Sequence, residues 1–267
     1  MLTNDNFKID LKSVKAFLFD LDGTLYVADD VIEGARETLD FLRKNGKQVF
    51  FLTNNSSRTD EEYYKRLKRL NLYAEGDIVY SSLDAFVDYV QSNEKTAKIY
   101  PVAGKKVVKY LKKRVNIVSC DKADTLLTTF DKTLTFKKIV NANNLLRSGV
   151  KYFATHPDLV CPDLPYSKPD LGSFSLMFKA SSGREPDIIT GKPFTVMSDC
   201  IMKKFGLNKD EVVMTGDRLN TDIAFGINAG FKTVLVFTGE TDAETYKNSR
   251  IKADFAIKSV NDFINLF

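Results

Sequence analysis

The run Val14–Asp20, VKAFLFD, followed at once by Leu21-Asp22-Gly23-Thr24-Leu25, decides how this chain is read. An apolar stretch of strand length that ends in a carboxylate and breaks into Asp-Gly-Thr reads as a buried strand whose carboxyl end carries polar groups. Side chains alternate along a strand, so Asp20 and Asp22 start on one side, and Gly23 permits a sharp turn that gathers both acids. Two anions so close call for a cation. A hard ion such as Mg²⁺ takes one or two carboxylates together with phosphate and water, which suits phosphoryl transfer. A carboxylate with an ordinary pKa near about 3.9 is ionised at neutral pH and attacks phosphorus without a partner base, which makes Asp20 the candidate nucleophile. Asp22 is the candidate general acid and base, donating to the leaving oxygen and then taking a proton from water. Asp-x-Asp pairs also serve as turn formers and helix caps, so the assignment depends on the rest of the chain.

Outward from this strand, Glu33–Asn45 places Ala35, Leu39 and Leu42 at helical spacing and stops at Gly46, and Lys47–Thr53 (KQVFFLT) reads as a second buried strand. A second strand-helix-strand unit runs from Glu211–Thr215 (EVVMT) through a helix over Asn220–Gly230 to Lys232–Phe237 (KTVLVF). Buried strands alternating with helices, each strand followed by polar residues and glycine, describe a parallel sheet that binds ligands at its carboxyl edge. The stretch between the halves is too long for a loop and has elements of its own. Strands are expected at Ala97–Val102, Thr125–Thr129 and Lys151–Ala154, and helices at Lys105–Arg114, Phe136–Ser148 and Gly172–Ser181. We therefore expect an α/β core over residues 1–81 and 187–267 interrupted by an inserted α/β domain over residues 82–186.

Three further segments carry candidate chemistry. Thr53-Asn54-Asn55 ends the second strand and offers a hydroxyl, side-chain amides and backbone N–H groups to phosphate oxygens, although it also reads as a helix cap. Gly191-Lys192-Pro193 fixes a lysine between turn-forming residues; Lys192 is either a surface cation or the counter-charge for Asp20 and a phosphoryl group. Gly216-Asp217 ends the Val212–Thr215 strand, placing Asp217 to complete a metal site. Asp222, one helical turn on, either supports that site and Lys192 or interacts with a helix start.

Composition excludes several classes. The 267 residues are 43% hydrophobic and 28% charged, enough for a substantial core and unlike a disordered chain. A net charge of +4 gives no reason to propose nucleic acid, and the basic run Lys105–Arg114 alternates with Val107, Val108 and Leu111 as a helix with a solvated face would. The longest apolar clusters fall short of the roughly 20 residues of a membrane span, and Met1–Lys15 lacks the pattern of a signal peptide. Cys120, Cys161 and Cys200 show no paired spacing, so a reducing cytoplasm is expected.

Taken in order, the four segments resemble the motifs of the haloacid dehalogenase superfamily of phosphatases. Position by position, the resemblance implies Asp20 as nucleophile, Asp22 as acid and base, Thr53 as the phosphate-binding hydroxyl, Lys192 as the basic residue and Asp217 with Asp222 as the acidic pair. It implies Mg²⁺ held by the Asp20 side chain, the Asp22 carbonyl and the Asp217 side chain. Leu52-Thr53-Asn54-Asn55, Ala154-Thr155-His156-Pro157-Asp158 and Gly191-Lys192-Pro193, with the insert after the second motif, look like the NagD-like class IIA branch, related to p-nitrophenyl, phosphoglycolate and pyridoxal phosphate phosphatases. That branch implies a Rossmann-like core, a C2-type cap that selects the substrate through the loop after Asp158, and a homodimer formed through the cap. The substrate would be a small phosphorylated metabolite of the phosphoglycolate, nucleoside monophosphate, pyridoxal phosphate or sugar phosphate class. Cys161 stands where some relatives carry a substrate-contacting histidine. His156, the single histidine, is read either as a structural loop residue or as a substrate contact. Two rival readings share the motifs: a phosphotransferase or mutase with an acceptor other than water, and a catalytically silent protein that binds a phosphometabolite.

Overall fold

Asp20 closes the central strand of a six-stranded sheet, Ala16–Asp20, in a computed structural model that describes residues 8–161 and 166–267. The sheet order is Phe255–Ile257, Lys232–Val236, Val212–Gly216, Ala16–Asp20, Gln48–Thr53, Ile78–Ser81. The four pairings from Phe255–Ile257 through to Gln48–Thr53 are parallel. From the central strand the chain steps one way to Gln48–Thr53 and later returns on the other side at Val212–Gly216. The strand order therefore reverses beside Asp20, and a parallel sheet opens a crevice at such a reversal. Register pairs Phe19 with Thr215 and Asp20 with Leu52, so the acidic ends of neighbouring strands finish level.

The central strand is buried up to the half-buried Asp20 because both of its faces are covered, which is why it reads as a continuous apolar run. Phe17 and Phe19 pack with Leu39 and Leu42 of the helix Ala35–Lys44 and with Phe263. The Phe17 ring also meets Phe263 and Phe267 edge-on, with centroids 5.9 Å apart in both pairs. Thr38 of that helix donates its hydroxyl to Val260 O, tying the C-terminal segment to the same layer.

The chain divides into two compact units. One comprises Met1–Thr53, Glu61–Tyr80 and Ile201–Phe267; the other comprises Asn54–Asp60 and Ser81–Cys200. The second contains a four-stranded parallel sheet in the order Ile188–Ile189, Lys151–Ala154, Thr125–Thr128, Ile99–Val102. Helices Ser82–Asn93 and Lys105–Lys112 contribute Phe86, Val107 and Leu111 to a cluster with Leu127 and Phe153, while Phe136–Arg147 and Leu171–Ser182 contribute Leu146 and Phe178 to one with Leu126 and Tyr152. An inserted α/β domain within a parallel-sheet core is thus present. This contact-based division assigns Asn54–Asp60 and the segment through Cys200 to the inserted unit, a wider span than the expected 82–186.

Lys105, Lys106, Lys109, Lys112 and Lys113 are exposed while Val107 and Leu111 are buried, as the solvated-face reading expects. The three cysteines are free thiols, and no described helix is long and apolar enough to cross a membrane. The expected helix over Asn220–Gly230 instead begins as a wide turn, Leu219–Ile223, and becomes α-helical at Ala224–Ala229. A short antiparallel pair, Val160–Cys161 with Lys168–Pro169, follows Asp158; part of the expected selectivity loop, residues 162–165, and residues 1–7 of the stretch read for a signal peptide lie outside the described residues. Because Phe17 is fully buried among aromatic neighbours, Phe17→Ala should lower the unfolding free energy by about 3–5 kcal/mol in a denaturant titration.

Candidate active site

The carboxylates of Asp20, Asp217 and Asp222 converge, with one oxygen from each lying within 4.8 Å of the others. Asp20 arrives on the central strand and Asp217 on the residue after its neighbour, Val212–Gly216. Asp222 arrives through the wide turn: Ile223 N donates to Arg218 O across five residues, and Asp222 Oδ2 accepts the backbone N–H of Arg218 at 3.1 Å. Turns of this width are rare and occur mostly at functional sites. Here the turn brings Asp222 back toward the strand end that it follows.

Asp217 is buried, and its two oxygens are treated differently. Oδ2 accepts the backbone N–H of Glu240 at 2.7 Å, whereas Oδ1 is buried with no hydrogen-bond partner among the described residues. A buried carboxylate oxygen without a donor costs free energy unless a cation satisfies it. Burial first, and the Asp222 charge second, push the Asp217 carboxyl up to about 6. An oxygen-only donor set carrying up to three negative charges matches a hard divalent cation of the Mg²⁺ kind. The residues present therefore fit such an ion.

Close backbone approach makes room for this group. Gly23 has φ +88°, as the sharp turn after Asp22 requires, and its carbonyl accepts the Thr238 hydroxyl at 2.6 Å. A Cβ placed on Gly239 would stand 1.9 Å from Asp217 Oδ2, so the loop after Lys232–Val236 can lie on the acid only as glycine. Arg218 was not singled out from the sequence, because a lone arginine after Gly-Asp has no distinguishing pattern. Burial pulls its pKa down, but Asp20, Glu240, Asp217 and Asp222 outweigh that and raise it, and its Nε lies 3.0 Å from Glu240 Oε2. It offsets part of the local negative charge.

The carboxylate of Asp22 is not in the converging group. It is half exposed and lies 3.8 Å from Arg66 Nη2, whose guanidinium covers the Tyr26 ring at 4.4 Å. The expectation for Asp22 as a ligand rests on its carbonyl, which is compatible with a side chain turned elsewhere. Arg66, too, carried no signal in the sequence, where it reads as one of several basic residues in a surface helix.

Thr53 is buried at the end of Gln48–Thr53. Asn54, Asn55 and Lys192 belong to the second unit. The side-chain amide of Asn54, expected at phosphate oxygens, is engaged with protein: Oδ1 accepts Lys192 N–H at 2.9 Å, and Nδ2 donates to Lys192 O at 2.9 Å and to Asp158 Oδ2 at 3.1 Å. Asn55 Oδ1 likewise accepts from the backbone and hydroxyl of Ser57, forming a local turn ahead of the helix Asp60–Arg69. Lys192 is buried, with 1% of its surface exposed, so the surface-lysine alternative is excluded.

A family model described as haloacid dehalogenase-like hydrolase matches residues 17–114, and a second one, HAD-hydrolase-like, matches residues 189–263. The acid sugar phosphatase of Staphylococcus aureus (strain USA300) is 31% identical over 255 residues, covering 95% of this chain and 98% of that protein. The chain belongs to the haloacid dehalogenase-like hydrolases. Among solved structures, the 4-nitrophenylphosphatase from Thermotoga maritima superposes with a TM-score of 0.92 at 34% identity, covering 96% of this chain and 98% of that one. A p-nitrophenyl phosphatase from Archaeoglobus fulgidus gives 0.89 at 26% identity, covering 95% and 99%. The likeness extends through the insert, so this hydrolase is a NagD-like, class IIA member with a C2-type inserted domain, and it is an enzyme of the phosphatase group.

Two outcomes follow from the acidic group. The Asp217 pKa is raised above its ordinary value of 3.8, so without a cation its contribution to stability is present near about pH 4 and is lost as pH rises through about 6. Mg²⁺ should therefore raise the melting temperature by on the order of 5 °C at about pH 7.5 and by much less at about pH 5, and Asp217→Asn should remove the increment. Gly239→Ala should abolish the same increment, because the new methyl displaces Asp217; an unchanged thermal shift would show that the loop yields instead.

Proposed function

We propose that the protein is a Mg²⁺-dependent phosphatase that hydrolyses small-molecule phosphate monoesters through a phospho-aspartate at Asp20. The observation that carries the reading is the convergence of Asp20, Asp217 and Asp222, one of which, Asp217, keeps a buried carboxylate oxygen without a donor among the described residues. Asp20 and Asp217 would hold the ion with the Asp22 carbonyl, and Asp222 would support them. Bound there, Mg²⁺ supplies positive charge that lowers the repulsion between a phosphate dianion and the carboxylates and stabilises the phosphoryl group in transit.

Asp20 attacks phosphorus with a carboxylate oxygen, the ester oxygen leaves, and an acyl phosphate forms on Asp20. Asp22, half exposed and therefore accessible to solvent protons, gives its proton to the leaving oxygen. Water then attacks the phosphorus of the acyl phosphate while Asp22 accepts its proton, releasing phosphate and restoring both acids. Thr53 offers its hydroxyl to a phosphoryl oxygen. Lys192, buried and gripped at both backbone polar groups by Asn54, supplies a fixed cation to the phosphoryl charge.

The similarity to an acid sugar phosphatase and a 4-nitrophenylphosphatase favours a small ester as substrate here. Sugar phosphates lead the proposed classes, followed by phosphoglycolate, nucleoside monophosphates and pyridoxal phosphate. The leaving group would be read by the insert around Cys161, in a cytoplasmic enzyme that pairs through this domain.

Phosphate release from p-nitrophenyl phosphate and a panel of these metabolites, with Mg²⁺ or EDTA, tests the proposal. Release should need Mg²⁺, and Asp20→Asn should reduce kcat by at least about 10⁴-fold with the melting temperature preserved. Lys192→Ala should lose about 10²-fold or more in kcat; a modest rise in KM alone would limit that residue to binding. Activity of Asp20→Asn near the wild-type level would overturn the mechanism.

A further inference from the structure

His156 is the single histidine of the chain and is wholly buried in the second unit. Its two ring nitrogens have no hydrogen-bond partner among the described residues, yet each faces a carboxylate: Nδ1 lies 3.4 Å from Asp158 Oδ2, and Nε2 lies 3.6 Å from Asp170 Oδ1. Both separations exceed the usual hydrogen-bond length. Burial pushes the Asp170 carboxyl up, and the interaction with His156 draws it back. An imidazole packed between the buried Asp170 and the partly buried Asp158 sets their separation, because moving either one away leaves a buried ring nitrogen without a polar neighbour.

The two acids have different duties. Asp170 caps the helix Leu171–Ser182, accepting Leu171 N–H at 2.6 Å, and its own N–H donates to Leu159 O. It is thus fixed to a rigid element. Asp158 sits on the opposite side of the ring, and the same Oδ2 that faces His156 accepts the Asn54 amide. With its other amide hydrogen and its carbonyl oxygen, Asn54 grips Lys192 O and N–H. Ser82 Oγ holds Asn54 O at 2.6 Å, so the Asn54 main chain is anchored as well. A buried chain of contacts therefore runs from the helix cap through the imidazole to the backbone of Lys192.

We propose that His156 is a positioning residue for Lys192: by bridging Asp170 and Asp158 it holds the carboxylate that orients Asn54, and Asn54 fixes the Lys192 backbone. The inference rests on the role given to Lys192 above, and it replaces both earlier alternatives for His156. The wholly buried ring acts on its neighbours, and its work reaches beyond its own loop. Asp158 O also accepts Gly172 N–H at 2.8 Å, so its main chain stays in place without the ring; its carboxylate loses one contact, Asn54 gains a second orientation, and the Lys192 turn loosens while the rest of the unit keeps its packing.

The test uses backbone amide hydrogen exchange followed by NMR on the full chain, comparing Lys192 N–H with Leu127 N–H in the central Thr125–Thr128 strand of the same unit. In His156→Ala, exchange at Lys192 should accelerate about tenfold or more with Leu127 unchanged, and kcat for p-nitrophenyl phosphate should fall about tenfold at nearly constant KM. His156→Gln, which retains an amide donor, should fall between wild type and His156→Ala in both readouts, and it serves if His156→Ala does not fold. Equal acceleration at both amides, or none at Lys192, overturns the proposal. Local acceleration with unchanged kcat would uphold the clamp and overturn the catalytic reading of Lys192, which separates the two claims.

Discussion

Three carboxylates brought within 4.8 Å of one another repel, and the fold around Asp20 is arranged to hold them there. Two stand at the ends of adjacent parallel strands where the sheet order reverses, so covalent geometry and register bring them together before any side chain adjusts. The third is returned by a turn wider than an α-helix. Glycine lets the Gly239 backbone press against Asp217, and the Glu240 N–H takes one of its oxygens. The other oxygen is buried without a hydrogen-bond donor among the described residues, as a cation ligand would be. Stability is given up locally so that charge can be concentrated, which is the usual relation between a catalytic site and its scaffold.

The strands and their chemistry were legible because parallel strands buried on both faces read as apolar runs, and because Asp, Gly and Thr follow them abruptly. Ala16–Asp20, Gln48–Thr53, Val212–Gly216 and Lys232–Val236 lie within two residues of their expected limits. Short strands at sheet edges, Ile188–Ile189 and Phe255–Ile257, were not legible, since two or three apolar residues carry no periodicity. Nor was the wide turn at Leu219–Ile223, which arises from a backbone hydrogen-bond shift that no residue type announces.

The acids that converge, Asp20, Asp217 and Asp222, were legible one by one, but the contacts that each candidate makes were not. The sequence offers Asn54 as a phosphate donor because an amide at a strand end is a generic hydrogen-bonding group. Its engagement with Lys192, 138 positions away, depends on tertiary proximity. Asp222 reads equally well as a helix-start acid until the turn places its carboxylate beside Asp20 and Asp217. Arg66 and Arg218 acquire meaning only from the acids around them. Such assignments come from long-range contacts and lie beyond any local pattern.

Covalent attack by Asp20 separates this account from direct attack by water at the same site, and stereochemistry at phosphorus distinguishes the two most directly. A thiophosphate ester made chiral at phosphorus with two oxygen isotopes would be hydrolysed to completion with Mg²⁺ in water carrying the third oxygen isotope, and the configuration of the released thiophosphate determined. Two successive in-line displacements, first by Asp20 and then by water, predict net retention. Net inversion would mean a single displacement by water and would contradict the phospho-aspartate.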